Sequence, residues 1–229
     1  MALLVFPGDY LGTDREGAIA GVVGEIRQQR PDVVGLCEVF ADDEREQIRG
    51  DLAADYPFFV EGPDEDDLES DGGLLLLSRH PFLVTSDLIY RDCAGDDCFA
   101  NKGVLHVRVQ PPGPAAYDLF YTHMQNIDED EGDDTLYSQL SVLHGMMQRD
   151  ADPGVPALVF GDLNIPATAA NHYQQLIDRL GGPVDSWITA GNAVASGFTV
   201  VRDSNFFDDS DDRPPRDERL DYVLVRPGR

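Results

Sequence analysis

Large apolar residues recur along this chain in two spacings. Ile19, Val22, Val23 and Ile26 follow the period of one helix face, with Thr13 or Asp14 placed to cap the start and Pro31 to stop the run. "DVVGLCEVF" comes next, a bare apolar run that predicts a buried strand ending at Glu38. Asp42 to Ala54 predicts an acidic helix, "GPDEDDLESDGG" a solvated loop, and "LLLLS" a second buried strand closed by Arg79-His80-Pro81. "GVLHVRV" alternates with the two-residue period of a strand, "YDLFYTH" predicts another, and Leu136, Leu140, Leu143 and Met147 draw a helical stripe. "ALVFGDLN" predicts a strand, Ala170 to Leu180 a short helix, and "RLDYVLV" a final strand. Helices and strands intermixed in this order predict a layered α/β (α+β) sandwich with helices outside. A chain of 229 residues, 42% of them hydrophobic, fits one domain spanning 1–229.

Polar residues punctuate these runs at one kind of place. Glu38, His123, Asp162, Asn164 and Asp221 each stand at or near an end of a strand-like run, where groups from several strands converge on one cleft. Each also has a plainer explanation. A Glu after a strand is usually solvated, and His123 fits a half-buried histidine bonded to a carbonyl. Asp162 and Asn164 fit an Asx turn, and Asp221 a local ion pair with Arg219. The joint pattern favours a site. His80, His106, His144 and His172 stand in other contexts; His106 in an alternating strand and His144 on a helix are expected to be structural.

Charge narrows the partners. With 43 acidic against 17 basic residues the formal net charge is −26, and Lys102 is the only lysine. Such a surface repels polyanions, and no basic stripe offers the counterion release that duplex binding uses, so nucleic acid is disfavoured. Screening of self-repulsion suggests a salt-tolerant, halophilic origin. Unfolding midpoints are therefore expected to climb from low to molar KCl; a flat or falling series would contradict that origin. Cys93 and Cys98 bracket a short polar loop and are able to bridge in an oxidising compartment, whereas Cys37 reads as a small core residue. No apolar run is long enough to span a membrane, and the start lacks a signal-peptide pattern. The expectation is a soluble monomer, cytoplasmic or secreted.

In order and approximate spacing, "RPDVVGLCEVF", "GGLLLLSRHPF", "NKGVLHVRV", "FYTHMQ", "ALVFGDLN" and "ERLDYVLV" resemble the endonuclease/exonuclease/phosphatase superfamily, from about Arg30 to Val225. "NKGV" and "THMQ" are most similar to its neutral and bacterial sphingomyelinase branch. The resemblance implies a four-layer αββα sandwich of DNase I-like fold, with a Mg²⁺-dependent phosphodiesterase site at one edge of its two sheets. It implies that Glu38 ligates Mg²⁺, or Mn²⁺ in its place, through the oxygen donors a hard cation prefers. Asp162 and Asn164 would hold the attacking water and the phosphate in line, and His123 would donate to a phosphate oxygen. Lys102, Asn164 and His123 would contact the substrate, a phosphodiester such as a phospholipid head group. Asp221 would orient a histidine acting as general base. Two of the superfamily's motifs are not found: "MALLVFPGDY" holds no Asn, and no histidine follows Asp221. The resemblance thus leaves two other readings: a non-catalytic or truncated relative that binds without turnover, lacking edge strands at both termini, and an acidic nuclease.

Overall fold

The computed structural model describes residues 2–4, 15–64, 72–113, 115–126, 132–201 and 217–226. The expected cap at Thr13 or Asp14 and most of the acidic loop lie outside them. In chain order the described elements are β1 (Ala2–Leu4), α1 (Arg15–Gln29), β2 (Val33–Cys37), α2 (Asp42–Leu52), β3 (Phe58–Gly62), β4 (Leu74–Ser78), β5 (Phe82–Ile89), β6 (Gly103–Val109), β7 (Tyr117–His123), α3 (Gly132–Asp150), β8 (Ala157–Asp162), α4 (Ala170–Arg179), β9 (Val184–Asp185), α5 (Ser186–Thr189) and β10 (Asp221–Arg226). They form a four-stranded sheet, β1-β2-β4-β3, and a six-stranded sheet, β5-β6-β7-β8-β10-β9.

The leucine run of β4 explains the layering. Successive side chains of a strand point to opposite faces, so a strand apolar on both faces must be covered on both. Leu75 and Leu77 pack with Ile19, Val23 and Ile26 of α1 and Ile48 and Leu52 of α2. Leu74 and Leu76 turn the other way, against Leu105, Val107, Leu119, Tyr121 and Phe160 of the six-stranded sheet. The far face of that sheet, with Val104, Phe120 and Val159, is covered by Leu136, Leu140, Leu143 and Met147 of α3 and Leu176 of α4. Three apolar layers between four structural ones make the αββα sandwich. The sheets approach closely at Gly35, where a Cβ would lie 2.6–2.8 Å from the rings of Tyr121 and Phe160.

Four strands, β1, β3, β5 and β9, were not legible as strands, and all four are sheet edges. β3 and β5 each form an edge of their sheet. They leave Phe59, Leu83 and Val84 exposed, and β5 breaks register between Phe82 and Val84. Half-covered edge strands carry neither clean alternation nor a closed apolar run. At the termini, β1 lies parallel to β2 at the edge of the four-stranded sheet. β10 lies inside the six-stranded sheet, pairing along its length with β8 and at Leu224 and Val225 with β9.

His106 is structural. Its Nε2 lies 3.0 Å from Asp118 Oδ1 and its Nδ1 3.2 Å from Ser86 Oγ, while the ring stacks on Phe120 at 4.5 Å. Asp118, fully buried, also accepts two hydrogen bonds from Arg108, at 2.9 and 3.1 Å, and one from the Asp152 N–H at 2.8 Å.

Candidate active site at the edge of the two sheets

Strand register brings the polar ends together. β7 runs parallel to β8 with His123 opposite Asp162, and β10 runs antiparallel to β8 with Asp221 opposite the same Asp162. Three neighbouring strands thus present His123, Asp162 and Asp221 side by side at one end of the six-stranded sheet. Glu38 arrives from the facing sheet, one residue beyond β2, with a backbone φ of 62°. A left-handed conformation costs a glutamate about 1–3 kcal/mol, and such strain is kept where the surroundings hold a side chain in a required place. Here it aims Glu38 Oε1 to within 3.9 Å of His123 Nε2, the same distance that separates His123 Nε2 from Asp162 Oδ2.

Asp162 and Asn164 form the turn that their spacing fits. Asp162 Oδ1 accepts the Asn164 N–H at 2.8 Å, an Asx turn, and Asn164, at φ 52°, donates its side-chain amide to the Met124 carbonyl at 2.6 Å. The turn occupies one carboxylate oxygen of Asp162 and leaves Oδ2 facing His123. Lys102, 7% exposed, directs its ammonium at three acceptors: Asp97 Oδ1 at 2.6 Å, the Met124 carbonyl at 3.0 Å and His123 Nε2 at 3.3 Å. An ammonium only donates, so His123 Nε2 accepts and the ring proton sits on Nδ1, which is buried without a hydrogen-bond partner among the described residues.

Electrostatically the cluster is one cation among four carboxylates, Glu38, Asp97, Asp162 and Asp221. Burial first, then the nearby Asp162, lifts Glu38 to about 7 against the pull of Lys102. Burial likewise lifts Asp162 to about 6, moderated by the Asn164 N–H and Lys102. Asp221 is pushed well above the usual carboxylate range by burial and by Asp162. Among the described residues neither of its oxygens makes a hydrogen bond of good geometry, and the nearby Thr199 hydroxyl, which moderates the lift, accepts from the Leu220 and Asp221 N–H groups. Arg219 does not neutralise Asp221 either, since its guanidinium pairs with Asp185 at 2.9 Å. His123 is held well below its ordinary value by burial and by Lys102 and is therefore neutral, so its two 3.9 Å approaches to carboxylates are not ion pairs.

Excess buried carboxylate with unpaired oxygens is the donor set a hard divalent cation takes. Among the described residues no three His, Cys, Asp or Glu side chains already form a cation cage. Mg²⁺ does not need one, because it keeps several waters beside one or two carboxylates. A stability test follows from the raised carboxylates. A carboxylate whose folded pKa lies above its unfolded value stabilises the protonated fold, so its penalty grows as pH rises from about 4 to 7. Without divalent cation the protein is expected to melt higher at pH 5 than at pH 8. Millimolar Mg²⁺ is expected to raise the pH 8 midpoint and narrow that gap, and Glu38→Gln to remove the Mg²⁺ effect. Melting curves with EDTA or Mg²⁺ at fixed ionic strength check this.

The structure pairs Cys93 with Cys98 and leaves Cys37 free and buried. Denatured, unreduced protein is expected to show one titratable thiol, and three after reduction. The bridged loop carries Asp97, the one residue of the cluster that sequence reasoning passed over. Its signal was its place between two cysteines, just before the only lysine. By contrast, no histidine stands within hydrogen-bond reach of Asp221 among the described residues, so the orienting role expected for Asp221 has no partner there.

Residues 11–229 match the sequence family described as the endonuclease/exonuclease/phosphatase family. The chain belongs to it. Family members of known structure share the sandwich. Sphingomyelinase C from Streptomyces griseocarneus superposes with a TM-score of 0.81 at 20% identity, over 99% of this chain and 82% of that one. Beta toxin from Staphylococcus aureus, in a structure with bound magnesium ions, gives a TM-score of 0.71 at 17% identity, covering 90% of this chain and 75% of that one. In sequence, Sphingomyelinase C 2 of Leptospira interrogans is 24% identical over 224 residues, 85% of this chain. The chain spans only 36% of that relative's length. Among the described residues, no helix of this endonuclease/exonuclease/phosphatase family member is long and apolar enough to cross a membrane.

Proposed function

We propose that the chain is a Mg²⁺-dependent phosphodiester hydrolase of the sphingomyelinase C kind, acting on a phospholipid head group. The carrying observation is the gap around His123 Nε2. Glu38 Oε1 and Asp162 Oδ2 both stand 3.9 Å from it and Lys102 Nζ 3.3 Å. That is too wide for direct bonds to the carboxylates, so the three groups converge on one point of the cleft without bonding His123 Nε2 to either carboxylate.

Each residue has a role in this reading. Glu38 supplies the oxygen ligand for Mg²⁺ or Mn²⁺, and the cation, when bound, polarises the phosphoryl group and neutralises charge developing on it. Asp162 Oδ2 accepts a hydrogen from the attacking water, held in direction because Oδ1 is fixed by the Asn164 N–H. Lys102 faces the phosphate and stabilises its oxygens once its ammonium turns from His123 Nε2 to the substrate, and His123 donates to a phosphate oxygen once its ring proton moves from Nδ1 to Nε2. Asn164 fixes the loop through Met124. Asp221 stands opposite Asp162 in the strand register.

The acidic surface argues for a lipid over nucleic acid, since a polyanion finds no basic track here. The deciding assay offers sphingomyelin in liposomes, a chromogenic phosphodiester and single-stranded DNA, each with Mg²⁺, Mn²⁺ or EDTA. Cation-dependent release of phosphocholine is the expected result. Cation-dependent cleavage of DNA with sphingomyelin untouched would install the nuclease reading, and inertness towards all three the reading of a fold kept for binding.

A further inference from the structure

Asp97 lies on a 3-10 turn, Gly95–Phe99, inside the loop closed by Cys93 and Cys98. Its two carboxylate oxygens are both engaged across the cleft wall. Oδ1 meets Lys102 Nζ at 2.6 Å and Oδ2 accepts the Asn126 N–H at 2.8 Å. The same loop is docked a second time, by a reciprocal pair between Ala94 and Gln125. The Ala94 N–H donates to Gln125 Oε1 at 2.9 Å, and Gln125 Nε2 donates to the Ala94 carbonyl at 3.2 Å. Met124, Gln125 and Asn126 follow directly on His123. The loop therefore grips the chain at the residues that set where His123 and the Met124 carbonyl stand.

We propose that Asp97 is a positioning residue: it commits the Lys102 ammonium to the loop side of the cleft, and the Cys93–Cys98 bridge keeps Asp97 there. Consider the alternatives open to Lys102. Glu38 and Asp162 both feel its charge, so a Lys102 released by Asp97 has two other carboxylates to join. An ammonium seated on them would neutralise the oxygens that a divalent cation needs. Held by Asp97 and the Met124 carbonyl, it instead stays beside His123 Nε2, where a phosphate oxygen arrives. The bridge matters because an open loop samples many conformations, and closing it removes that freedom before Lys102 has to be held.

The kinetic part of this inference rests on the phosphodiesterase reading; the geometric part does not. Lys102 is the only lysine, so protein grown on lysine labelled with ¹³C at Cε gives one side-chain signal in the whole molecule. Asp97→Asn and the double variant Cys93→Ser/Cys98→Ser are each expected to shift that signal in the same direction. Both are expected to weaken Mg²⁺ binding, measured by calorimetry, and Asp97→Glu to recover part of each effect. If wild type hydrolyses a diester, Asp97→Asn is expected to lower kcat ~10- to 100-fold with little change in KM. A role confined to stability would instead lower the melting point and leave the lysine signal and kcat of the folded protein in place. A lysine signal unmoved in Asp97→Asn overturns the proposal, as does a bridge-free variant with wild-type signal and Mg²⁺ affinity. A wild type inert towards every diester, with the lysine shifts as expected, sinks the phosphodiesterase reading and leaves the positioning role standing.

Discussion

Asp162→Asn is expected to cut any Mg²⁺-dependent hydrolysis by the chain ~10²- to 10⁴-fold while raising the melting point of the cation-free protein. The two effects share one cause. Asparagine retains a side-chain oxygen for the Asn164 N–H, so the Asx turn that now closes at 2.8 Å survives. What disappears is a buried negative charge whose cost shows in the lift of Asp162 to about 6 and in its upward push on Glu38 and Asp221. Removing it relieves the fold and deprives the attacking water of its acceptor. Asp162→Ala loses the turn as well and is expected to be inactive without the gain in stability. Rates on a chromogenic diester and melting curves in EDTA, measured side by side on the three proteins, check this. An Asp162→Asn protein that hydrolyses at the wild-type rate would remove Asp162 from the reaction.

Asp118→Asn is expected to cost about 3 kcal/mol of stability at neutral pH, lowering the melting point by roughly 6–12 °C. Asp118 is wholly buried, and burial alone would raise its pKa. Hydrogen bonds from Arg108 and His106 and from the Asp152 N–H overcome this, leaving the value lowered. An amide in its place cannot balance Arg108, whose remaining carboxylate, Asp152 Oδ2, lies 3.7 Å away. The sign of the pH dependence follows from the lowered pKa. The Asp118 contribution is complete above the unfolded carboxylate value, about 4, and is lost as pH falls through the lower folded value. Wild type and Asp118→Asn should therefore converge in acid. Denaturant unfolding at pH 7 and below pH 4 tests it; a gap that stays constant across that range would mean the charge of Asp118 is not what stabilises the fold. Asp118 stands near the start of β7, at the opposite end of the strand from His123, so Asp118→Asn should leave Mg²⁺ binding intact while it folds.

The buried strands, the helices and the polar groups at strand ends were legible in the order of the residues. Buried strands such as β4 declare themselves because both faces must be apolar, and helices such as α3 because one face must be. Glu38, His123, Asp162, Asn164 and Asp221 were visible as polar groups at strand ends, since an unpaired charge is cheapest to place where the apolar run stops. Edge strands β3 and β5 left no such mark, because one covered face imposes little on composition. Register, and pairing across long stretches of chain, became visible only in the folded molecule. Parallel β7 and β8 set His123 opposite Asp162, and antiparallel β10 sets Asp221 opposite the same residue. Glu38 meets them because β2 lies in the facing sheet and its left-handed turn points inward. The bridging of Cys93 to Cys98 turned two optional cysteines into the frame that holds Asp97 on Lys102. Likewise Asp221, which next to Arg219 suggested a local pair, is not paired with it because that arginine has Asp185 to bind. Composition cannot reveal such choices: each is a competition among several partners for one group, and distance in the folded chain settles it.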